Sequence, residues 1–222
     1  MTLPLAGAKA QPVVPGATVS IYASVPDPIT LSFAPDGMLY VGYNPESTYT
    51  AFKIHRVGPG GSPVTPFGNT GIVDPDAVIV DVAGVVSGTP GAVIVGGYFD
   101  PVQGKISKIT PDGTVSTLFG PSPTYWNPSA FLFDPAGRLL FSDGSGTNVM
   151  VTTGGTPTVL LSTDKPYCMA VDAAGRLAIT TADNWLRLYT LAGMLLNARF
   201  AAIGASSPLA AGTGLFFRLI HP

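Results

Sequence analysis

The chain has 222 residues, 46% of them apolar and only 11% charged, with a net charge of −2 at neutral pH. Its 11 Lys and Arg residues are scattered singly, so the cationic footprint that nucleic acid or an anionic membrane requires is absent, and no stretch reaches the ~18 uncharged apolar residues of a membrane-spanning helix. With 27 Gly and 22 Pro residues, no window keeps a 3.6-residue apolar period, which excludes a helical bundle and points to short strands joined by turns.

In chain order, residues 1–10 lack a basic leader and a continuous apolar run, so no signal peptide is expected there. Lys9 to Ala23 (KAQPVVPGATVSIYA) then reads as a hairpin. Ile29 to Val41 (ITLSFAPDGMLYV) reads as two antiparallel strands around an Asp-Gly turn, where glycine supplies the positive φ. Lys53 to Phe67 is a second hairpin. The same alternation returns in Ala77 to Val95, with an insertion, followed by Lys105 to Phe119 (KISKITPDGTVSTLF). It returns again in Phe131 to Phe141 and Val149 to Leu161, and in Cys168 to Ile179 and Trp185 to Leu196. Pro208 to Phe217 opens a last unit that ends at Pro222 with two strands.

The turn glycines Gly37, Gly84, Gly137, Gly175 and Gly214 are separated by 47, 53, 38 and 39 residues. A repeat of that length, made of two hairpins, is a four-stranded blade. Lys9 to Ala23 aligns without a gap on Lys105 to Phe119 and supplies the hairpin missing after Phe217. The expectation is an all-β, single-domain, monomeric β-propeller over 1–222, with five four-stranded blades and the last closed by N-terminal strands. A six-bladed or truncated propeller is the alternative. Closure would remove the open sheet edges that invite aggregation.

Pro follows the residue that opens the inner strand in four blades: Asp27-Pro28, Asp74-Pro75, Asn127-Pro128 and Lys165-Pro166. This register aims Asp27, Asp74 and Asn127 at one spot. Loops after the second strands add Asn44, Glu46, Asp100, Asp143, Asp183 and Asn184, with His221 at the end. Converging carboxylate and amide oxygens suit a hard cation such as Ca²⁺, which takes about 6 to 8 oxygens. Asp27, Asp74, Asn127 and Asp143 are therefore the candidate metal ligands, and Asp143 and His221 the candidate catalytic groups. Asp36, Asp81, Asp134 and Asp172 recur beside the turn glycines and are assigned to turn chemistry. His55 and the lone Cys168 are read as packed residues, and Gly144-Ser145-Gly146 is not the elbow of a serine hydrolase. The aromatic residues Tyr43, Tyr98, Phe99, Tyr125, Trp126, Tyr167 and Trp185 either rim the same mouth or pack between blades.

FAPDGMLYVGYN (Phe33 to Asn44), FDPAGRLLFSDGS (Phe133 to Ser145) and VDAAGRLAITTADN (Val171 to Asn184) resemble the repeats of the NHL and gluconolactonase/paraoxonase-like propellers. The resemblance implies calcium-dependent hydrolases that open lactones or cleave esters, with a metal held at the channel by an acidic residue, Asn side chains and an Asp. On that pattern Asn127 resembles the channel Asn and Asp143 the Asp that follows a second strand, with Asp27 or Asp74 as the acidic ligand. The family implies six blades where this chain counts five, and its single glutamate, Glu46, is not at the start of an inner strand. The expected function is a Ca²⁺-dependent hydrolase of a lactone or small ester, an acyl homoserine lactone among them, with an axial Asp or His221 activating water. The alternatives are a non-catalytic module that binds a small molecule, sugar, peptide or protein, and a lyase acting on a cyclic ester.

Overall fold

The computed structural model describes residues 20–43, 54–100 and 103–202. Among them are four antiparallel four-stranded sheets and no helix. The first blade is β1 (Pro28–Phe33), β2 (Leu39–Tyr43), β3 (Ile54–Val57) and β4 (Val64–Pro66), and the second is β5 (Asp74–Asp81), β6 (Ala92–Asp100), β7 (Gln103–Ile109) and β8 (Val115–Ser122). The third is β9 (Pro128–Phe133), β10 (Leu139–Asp143), β11 (Asn148–Thr152) and β12 (Thr158–Ser162). The fourth is β13 (Pro166–Val171), β14 (Arg176–Thr181), β15 (Trp185–Thr190) and β16 (Leu195–Ala202). Strands pair in chain order within each blade, and β1 packs on β5, β5 on β9, and β9 on β13, so successive blades meet along their first strands. Pro208 to Phe217, most of Lys9 to Ala23, and with them the fifth blade and its closure, lie outside the described residues.

The turn glycines do what their spacing implies. Gly37, Gly84, Gly137 and Gly175 have φ between +71° and +85°, where a Cβ is disfavoured. The recurrent aspartates serve the same turns. Asp134 Oδ1 accepts the Ala136 and Arg138 amides, Asp172 Oδ1 those of Ala174 and Arg176, and Asp36 Oδ1 that of Met38. The insertion in the second blade is organised by the buried Asp81 carboxylate, which accepts the amides of Val85, Val86 and Ser87 at 2.7 to 3.1 Å.

Second strands are buried on both faces, which explains their unbroken apolar runs. Leu139 and Phe141 of β10 point into the core shared with Ile94 and Ile106 of the second blade, while Leu140 points the other way, to Leu177 and Ile179 of the fourth. Likewise Val93 and Val95 of β6 meet Tyr40 of the first blade, and Ile94 faces the third. Each such side chain withdrawn from water contributes about 1.5 to 3 kcal/mol, so the seams between blades hold the array together.

The starts of the inner strands share one irregularity. In each of the four described blades the first residue pairs at or near the end of the second strand (Pro28 with Tyr43, Asp74 with Tyr98, Pro128 with Asp143, Pro166 with Thr181), and the ladder then slips by one residue. These bulges leave one extra inner-strand residue at the same end of each blade, where side chains are re-aimed.

Candidate active site at the seam of the second and third blades

The bulge of the second blade lies between Asp74 and Ala77 and contains Pro75 and Asp76. It is accommodated by glycine on the partner strand, because a Cβ at Gly97 would stand 1.8 Å from the Asp74 carbonyl oxygen. In the next blade, Asn127 precedes β9 and donates from Nδ2 to Asp76 Oδ2 at 2.6 Å. The Asn127 backbone amide donates to Asp143 Oδ1 at 3.0 Å, and that oxygen also accepts the Ser145 amide at 3.3 Å. Gly144 N in turn donates to the Asn127 carbonyl at 2.9 Å. Asn127 is thus clamped on both backbone sides, with its side chain directed at the second blade.

Two features mark this seam as chemically poised. Asn127 is only 8% exposed, and its Oδ1 is buried with no hydrogen-bond partner. An unmatched buried acceptor costs about 1 to 3 kcal/mol. Beside it, burial and then the negative charge of Asp74 push the Asp76 carboxyl up to about 7, and the bond from Asn127 only partly offsets them. Among the described residues no three Asp, Glu, His or Cys side chains come together. The group is two carboxylates and an amide oxygen, all hard oxygen donors, a set that fits Ca²⁺ in kind when water completes its shell.

The expected residues distribute unevenly. Asn127 and Asp74 are linked at this seam through Asp76, which takes a bond from the first and feels the charge of the second; Asp27 is exposed, with φ of +42°, and takes no part in the hydrogen bonds there. Asp143 is 3% exposed and uses Oδ1 on two backbone amides, so its described contacts are those of a loop anchor. Asp183 pairs with Arg187 of its own blade and bonds Thr181. His221, Asn44 and Glu46 lie outside the described residues.

The aromatic set splits. Tyr125 is buried edge-on against Phe141 with ring centroids 5.3 Å apart, and Tyr43 is buried against His55, so both pack. Trp126, in the loop before β9, and Tyr167, near the start of β13, remain exposed. Burial lowers the affinity of His55 for a proton and raises the Cys168 thiol, consistent with packed residues. Asp76 is the functional candidate that reading by register passes over. Its signal is the run DPDAVIV, a second acid two residues after Asp74 and directly before an apolar stretch.

No family model and no curated protein matches the sequence. Solved structures do match its fold. A streptogramin B lyase superposes with a TM-score of 0.55 at 20% identity, covering 79% of this chain and 56% of its own. A virginiamycin B lyase from Staphylococcus aureus gives 0.53 at 18%, covering 78% and 55%, and a gluconolactonase from Xanthomonas campestris gives 0.52 at 20%, covering 68% and 53%. The chain therefore spans a little over half the length of each of these structures. What it shares with them is architecture: this is a gluconolactonase-like β-propeller fold.

Proposed function

We propose that the chain acts on a lactone or small ester, as a hydrolase or a lyase, at the seam of the second and third blades. The observation that carries this is the buried, unpartnered Oδ1 of Asn127 beside the Asp74–Asp76 pair. Asp74 and Asn127 Oδ1 would hold Ca²⁺, which when bound polarises an ester carbonyl as a Lewis acid. Asp76, whose carboxyl burial and Asp74 push up to about 7 in the metal-free chain, would in its ionised form accept a proton at its carboxylate from water or from a substrate carbon. Asp143 fixes Asn127 and the loop after β10. The exposed rings of Trp126 and Tyr167 would suit an apolar acyl tail, such as that of an acyl homoserine lactone.

A thermal melt in EDTA and in excess CaCl₂ tests the cation. At a hundredfold excess over Kd, binding stabilises the folded state by about 2.7 kcal/mol. For a chain of this size that raises Tm by about 5 to 10 °C. Asn127→Ala should abolish the rise. An unchanged Tm in the parent protein would remove calcium from the reading and leave a non-catalytic binding propeller in front.

A further inference from the structure

Tyr98, near the end of β6, and Ser145, in the loop after β10, join their hydroxyls across the same seam. Each hydroxyl has one proton and two lone pairs. The mutual bond uses one proton, so the pair keeps a second O–H for another acceptor. Its placement is rigid on both sides. Tyr98 is the direct cross-strand partner of Asp74. Ser145 is held through its amide by the same Asp143 oxygen that holds Asn127.

The glycines flanking Ser145 are required by crowding. A Cβ at Gly144 would meet Ser129 Oγ at 2.5 Å, and one at Gly146 would meet Asp143 Oδ2 at 2.2 Å. The Gly-Ser-Gly segment thus sits close against Ser129 and Asp143, with the Ser145 hydroxyl on Tyr98.

We infer that the Tyr98–Ser145 pair is the recognition element for a neutral acceptor oxygen, the carbonyl of a cyclic ester or its isostere. This deepens the proposed function and rests on the seam being the ligand site. The local charge selects the ligand: Asp74 stands opposite Tyr98 in the ladder, Asp143 Oδ1 accepts the Ser145 amide, and no Lys or Arg is among the pair's described hydrogen-bond partners. In the calcium-free seam a ring-opened carboxylate is repelled where the uncharged ring is accepted. The hydroxyl pair positions the ring carbonyl, and the neighbouring carboxylates disfavour the acidic product.

The test is an NMR titration, in EDTA, of the ¹⁵N-labelled protein with δ-valerolactam, which keeps the ring carbonyl but resists opening, and with 5-hydroxypentanoate. The lactam should shift the Ser145 amide and bind at least tenfold tighter than the hydroxy acid. Tyr98→Phe should weaken the lactam about tenfold, the upper end for one neutral hydrogen bond, and Ser145→Ala about threefold. Both variants should melt within a few degrees of the parent and keep its response to CaCl₂. Equal lactam affinity in the parent and Tyr98→Phe, no lactam binding by the parent, or equal binding of the hydroxy acid would each overturn the inference. Lactam binding that depends on Tyr98 without any calcium effect would instead sink the calcium reading and leave the hydroxyl pair standing.

Discussion

Replacing Asp76 by Asn removes the charge from the seam while keeping an oxygen to accept the bond from Asn127. Burial and Asp74 lift the carboxyl from an ordinary 3.8 to about 7 in the folded chain, a difference worth about 4 kcal/mol. Below pH 4 both folded and unfolded chains carry the proton, and the group costs nothing. Between pH 4 and 7 the unfolded chain releases it and the folded chain does not, so stability falls as pH rises, and above 7 the full cost is present. In EDTA, Asp76→Asn should therefore be more stable than the parent at pH 8, by up to about 4 kcal/mol, with an advantage of about 1 kcal/mol or less at pH 4.5. Urea titrations followed by Trp fluorescence measure this as a shift in midpoint at constant slope. An advantage that does not shrink on acidification, or a variant no more stable than the parent at pH 8, would refute the electrostatic account of the seam.

Two further substitutions probe how the site is built. Asp143→Ala leaves the amides of Asn127 and Ser145 without their acceptor and should cost about 2 kcal/mol in urea denaturation, with a weaker calcium response in the melt. Gly97→Ala drives a Cβ into the Asp74 carbonyl and should lower stability by about 3 kcal/mol, while Gly155→Ala, whose Cβ meets nothing within 4 Å, should stay within about 0.5 kcal/mol of the parent.

Much of the architecture is readable in the chain because propeller order is local order. An Asp or small residue before a turn glycine, an apolar run on each side and a return after some 40 to 50 residues need no distant contact to be recognised. The turn role of Asp36, Asp134 and Asp172 is legible for the same reason, since each carboxylate reaches an amide two residues away. The site is legible only in part. Register brings out Asn127 and Asp74, because both stand at the entry of an inner strand, but it also selects Asp27, which the structure leaves exposed in the first blade.

The amino-acid sequence by itself determined the all-β class and the turn positions, because each depends on neighbours along the chain. Only the tertiary structure decided that Asp76 faces Asn127, that Asp143 is consumed by two backbone amides, and that Tyr98 meets Ser145. Those meetings depend on a one-residue slip in each inner ladder and on glycines at 97, 144 and 146 that admit the approach of a neighbouring strand or loop. A slip of one residue turns a side chain to the other face, and the side chain it then meets belongs to another blade, about 50 residues away in the chain.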